Sequence, residues 1–72
     1  MDKPNIILLK EILTSLKREV GLRQSVYPKL VASGKMPNKK AKREIELMQY
    51  VLDYFQSIYD EYIPPIEQQK LF

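Results

Sequence analysis

The side chains of this chain that could do chemistry are its carboxylates, its lysines and arginines, a few hydroxyls and five tyrosines. Histidine and cysteine are both absent. That removes the most used general base, the thiolate nucleophile and the usual zinc ligands. No serine stands beside a plausible base, and there is no glycine-rich phosphate loop. Glu44 and Glu46 lie two residues apart, so on a helix they point to different faces. Glu19 and Glu44 meet if the chain folds back on itself, but Arg18, Arg23 and Arg43 are then close enough to neutralise them. No acid–base set can be assembled, so the sequence reads as non-enzymatic, with no metal site and no cofactor.

The basic side chains are the more informative group. The net charge of +3 divides into +3 over residues 1–34, +5 over residues 35–43 and −5 over residues 44–72. Lys35, Lys39, Lys40, Lys42 and Arg43 thus form a basic knot beside an acidic arm. Such a knot is an expected contact for an anion or nucleic acid, although no aromatic residue interleaves with it and no recognition-helix pattern follows. Arg23 is a separate case, because it occupies a position where an apolar residue belongs. It is either a partly buried guanidinium paired with Glu19 or Glu44, or an anion-binding group inside a helical bundle.

The elements that place these residues are helical. Ile6, Leu9, Leu13, Leu16 and Val20 recur at steps of three and four; the next position is Arg23, and Tyr27 and Leu30 resume the series. Ala41, Ile45, Met48, Leu52, Phe55, Tyr59 and Tyr62 repeat the pattern without exception. Asp2 is the expected cap of the first helix, with Pro4 in its first turn. Pro28 predicts a kink rather than a stop, since Leu30 and Val31 keep the phase. Gly34 ends the first helix, Lys35, Met36 and Pro37 connect, Asn38 caps the second, and Pro64 and Pro65 end it.

Folding back at the tip pairs Leu30 with Ala41, Tyr27 with Ile45, Val20 with Leu52, Leu16 with Phe55 and Leu13 with Tyr59, while Arg23 approaches Met48. The predicted fold is all-α: an antiparallel helical hairpin over residues 1–63, kinked at Pro28, with a tail over residues 64–72. Second stripes flank both seams: Leu8, Ile12, Leu22 and Val26 on one arm, Leu47, Val51, Tyr54 and Ile58 on the other. A lone hairpin leaves them in water, and a chain of 72 residues without disulfides or a metal needs further burial. Dimerisation into a four-helix bundle is therefore expected. Tyr50 lies off the seams and, with Tyr54, offers a partner-binding surface.

The tail reads Gln68, Gln69, Lys70, Leu71, Phe72. It resembles the pentapeptide by which many bacterial replication and repair proteins bind the sliding clamp, with Gln68 orienting and Leu71 and Phe72 filling an apolar pocket. Gln69 departs from the usual aliphatic second position. Alternatively, Leu71 and Phe72 fold back onto the open end of the bundle.

The run REVGLRQSVYPKLVASGKM, followed by AKREIELM, resembles a group of small helical proteins of temperate phages and prophages over about Arg18 to Met48. Such proteins tend to carry Ser/Thr-Pro-acidic where this chain has Pro37, Asn38 and Lys39. The resemblance implies a mobile-element origin and no defined activity. The combined expectation is a non-enzymatic accessory or inhibitor protein that acts by protein–protein interaction, as a homodimer whose tail reaches a host protein such as the clamp. The alternatives are nucleic-acid binding at the basic tip, and an anti-defence protein that blocks a host protein or traps an anionic ligand. The chain opens Met-Asp-Lys and its early apolar run, Ile6 to Leu9, is short, so a cytoplasmic location in the host cell and no membrane partner are expected.

Overall fold

A computed structural model describes residues 5–63. Two helices, α1 (Ile6–Ala32) and α2 (Asn38–Tyr62), make up nearly all of it. Near the chain ends Leu9 and Leu13 pack with Tyr59, and closer to the connection Arg23 meets Glu44. One helix therefore ascends as the other descends, which is the predicted hairpin.

The cap of α1 is Asn5 rather than Asp2. Its extended backbone precedes the first turn and its side chain accepts a hydrogen bond from the Leu8 amide at 3.0 Å. This satisfies one of the donors that a helix start leaves open; Asp2 and Pro4 lie outside the described residues. At the other end α1 runs unbroken through Pro28 to Ala32. Proline forfeits only the bond to the Gln24 carbonyl, and the seam residues on either side hold the helix in phase.

The connection is built on Gly34. Ser33 is the helix cap, Gly34 takes φ +76°, and its amide donates to Val31 O at 3.1 Å. The Lys35 amide reaches back to Leu30 O at 2.9 Å. That pair of bonds is a Schellman motif, which needs a left-handed residue where Gly34 stands. Helix α2 then starts from Pro37, whose carbonyl accepts from the Ala41 amide at 3.0 Å, and no side chain caps it. Asn38 is the first helical residue, not the cap, because the extended backbone of the cap position falls on Pro37. At its far end the Ile63 amide donates to Tyr59 O at 2.8 Å; Pro64 and Pro65 lie outside the described residues.

The two glycines predict opposite outcomes on replacement. A Cβ at either site meets nothing within 4 Å. Gly21→Ala, in the middle of α1, raises stability by up to about 1 kcal/mol by restricting the unfolded chain. Gly34→Ala lowers it by about 1–2 kcal/mol through the left-handed backbone alone. Urea denaturation of both variants checks the two signs.

Burial follows the predicted seams. The buried residues Leu9, Leu13, Val20, Ala41 and Tyr59 all belong to them. Ile6, Leu52, Phe55, Ile58 and Ile63 pack around the Leu9, Leu13 and Tyr59 cluster at the open end. Tyr62 departs from its predicted place and is exposed, since Ile63 rather than Tyr62 packs on that cluster. The second stripes are largely in water: Leu8, Leu22, Val26, Leu47, Val51 and Tyr54 are all exposed, whereas Ile12 and Ile58 are half-buried.

Candidate functional site

Three features of the hairpin can meet something outside it: Arg23 in the seam, the basic start of α2, and an apolar face.

Arg23 sits where α1 passes the second turn of α2, with its side chain 19% exposed. Its Nε donates to Glu19 Oε1 at 3.3 Å, and its Nη1 donates both to Glu44 Oε2 at 3.3 Å and to the Glu44 carbonyl at 3.2 Å. The guanidinium also lies 5.8 Å from the centroid of the Tyr27 ring. Both predicted carboxylate partners are therefore engaged at once. The bond to the Glu44 carbonyl ties the guanidinium to the backbone of α2, and a seam charge held in this way can fix the register of two helices. The long arginine reaches toward the tip to make its polar contact with Glu44.

Lys39, Lys40, Lys42 and Arg43 cluster within the first two turns of α2, where they line an open depression with Pro37, Glu44 and Glu46. Lys35 stands on the connection and is exposed. With no acidic residue in the first turn and no capping side chain, the amide-rich start of α2 carries only positive neighbours, the disfavoured sign for a helix N-terminus. The depression is not uniformly basic, however. Arg43 Nη1 donates to Glu46 Oε1 at 3.1 Å. This pair escaped the sequence reading, although its i,i+3 spacing was a sufficient signal. Arg23 is not part of this cluster; the fold keeps it in the seam.

The apolar face arises from the position of the second stripes. Leu22 and Val26 each precede a seam residue of α1 by one, and Leu47, Val51 and Tyr54 do the same on α2. A step back by one residue rotates a side chain by about 100°. Because the helices run in opposite directions with their seams facing, both rotations turn these residues to the same side of the hairpin. Tyr50 borders the face and is 76% exposed. Tyr54 is braced by an edge-on contact with Phe55, ring centroids 5.7 Å apart. The extent of this face exceeds the single scattered apolar residues of an ordinary surface.

Among the described residues no group of three or more Asp or Glu side chains is placed to hold a metal ion, and no helix is long and apolar enough to cross a membrane. Gln68, Leu71 and Phe72 lie outside the described residues. No family model, curated protein or solved structure matches the chain.

Proposed function

We propose that this protein is a non-enzymatic accessory or inhibitor protein of the temperate-phage kind, which forms a homodimer and acts by binding a host protein. The observation that carries the protein–protein reading is the single apolar face formed by Leu22, Val26, Leu47, Val51 and Tyr54, all exposed on the isolated hairpin. Faces of this kind are buried against a partner when one is available. Pairing two hairpins through it yields a four-helix bundle and offsets the small core of a short chain.

The specific target follows from the tail. Gln68, Leu71 and Phe72 supply one orienting amide and two apolar anchors, the set by which a short peptide fills a pocket on the sliding clamp. The test is recovery of purified clamp by the full-length chain and by a chain ending at Glu67. The full-length chain retains clamp and the shorter chain does not. Equal recovery by both rejects the tail as the anchor.

Nucleic-acid binding at the tip is the second reading, favoured by the uncapped, wholly basic start of α2. If it holds, duplex binding weakens steeply with salt, and neutralising Lys39 and Lys40 together reduces the log–log salt slope by about two. Binding that does not respond to salt discards it.

A further inference from the structure

We propose that the two hairpins of the dimer run antiparallel, the tip of one beside the open end of the other, along a seam between their α2 helices centred on Val51. The inference rests on the self-association proposed above and adds its direction and contact residues.

Charge sets the direction. Helix α2 carries basic residues in its first turn and none in its last, where Asp60 and Glu61 stand instead; no acidic residue balances its start. Each end therefore bears the charge that its own helix dipole disfavours. The basic charge extends beyond α2 into the connection, because residues 35–43 hold five basic residues and no carboxylate. A second hairpin laid parallel would stack two basic tips and two acidic ends. Laid antiparallel, it places each tip beside an acidic end and opposes the two α2 dipoles.

The apolar residues fit the same arrangement. The exposed stripe of α2 is Leu47, Val51 and Tyr54. With Val51 on the two-fold axis, Leu47 lies across from the partner's Tyr54. Continuing outward at the same register, Lys40 reaches the level of the partner's Glu61. The end residues Lys40 and Glu61 belong to the same helical stripe as Leu47, Val51 and Tyr54: Lys40 precedes the buried Ala41 by one residue, and Glu61 follows Tyr54 and Ile58 at steps of four and three. Apolar contact at the centre and opposite charges at both ends thus come from one face and one register. Leu22 and Val26 widen the centre from the side of α1.

The chain has no cysteine, so single introduced thiols in the full-length protein report the packing. Under mild oxidation Val51→Cys forms a covalent dimer, since a two-fold axis brings its Cα atoms within disulfide reach. Lys40→Cys does not couple with itself but does couple with Glu61→Cys when the two are mixed. Lys40→Glu and Glu61→Lys each weaken the dimer about tenfold, about threefold at each of two symmetric contacts, and the double variant restores it. All these positions are exposed, and circular dichroism verifies that each variant remains folded. A monomer in sedimentation at high micromolar concentration overturns the inference together with the self-association beneath it. A dimer in which Lys40→Cys couples with itself overturns the antiparallel direction alone, whether or not Val51→Cys couples, because Val51 faces its own copy in either direction.

Discussion

Tyr59→Ala abolishes the cooperative thermal transition of this protein, whereas Tyr59→Phe melts at the same temperature or higher. Tyr59 is the most deeply buried of the described residues, 3% exposed, and with Leu9 and Leu13 it forms the cluster on which the open end is assembled. Truncating a buried aromatic to alanine costs about 3–5 kcal/mol. A single core in a domain of this size supplies about the same amount, so little stability is left. The phenylalanine variant separates ring from hydroxyl. The Tyr59 hydroxyl is buried and has no hydrogen-bond partner among the described residues. An unsatisfied buried donor costs about 1–3 kcal/mol, which its removal recovers. Thermal melts followed by circular dichroism read both variants. A phenylalanine variant as damaged as the alanine variant would show that the hydroxyl, not the ring, holds the cluster.

The second large effect falls on Arg23. Arg23→Ala destabilises the hairpin by about 1.5–3 kcal/mol, the worth of hydrogen bonds to charged groups. It deprives Glu44 of its partner and opens a gap in the seam. The carboxylates of Glu19 and Glu44 are 47% and 39% exposed. Water therefore recovers part of the loss, and the cost stays below that of breaking a fully buried pair. Arg23→Met fills the same space with an apolar side chain and loses less than about 1 kcal/mol, or gains stability. Chemical denaturation of both variants gives the two values. If Arg23→Met retains partner binding, the arginine serves register alone; loss of binding at unchanged stability assigns it an external anion.

The Arg23 contacts bear on the proposed dimer as well. Glu44 lies on the exposed side of the hairpin between Leu47 and the tip lysines of α2, and Glu19 lies on the same side beyond Leu22 on α1. In the dimer proposed above, Arg23 would reduce the cost of carrying these two carboxylates toward the partner, because it engages both.

Much of the architecture was readable from residue spacing. Apolar side chains at steps of three and four specify helices, because only that period places them on one side of the chain. Two such series in phase across a glycine and proline connection specify a hairpin, and every buried residue, from Leu9 to Tyr59, falls on them. The pairing of Arg23 with Glu19 follows from i,i+4 spacing, and its pairing with Glu44 follows from folding back at Gly34.

What spacing left undetermined was settled by geometry in three dimensions. Asp2 and Asn5 are both good caps, and the choice depends on which turn first finds Tyr59 and its neighbours to pack against. Asn38 looked like the cap of α2, but the Schellman turn at Gly34 delivers the chain so that Pro37 occupies the extended cap position. Tyr62 and Ile63 are equally apolar in pattern, yet only the last bend of the chain turns Ile63 inward. The Tyr59 hydroxyl, without a hydrogen-bond partner among the described residues, and the common side of the two exposed stripes have the same origin. Each depends on the relative placement of two separate helices, which the period of either one alone does not encode.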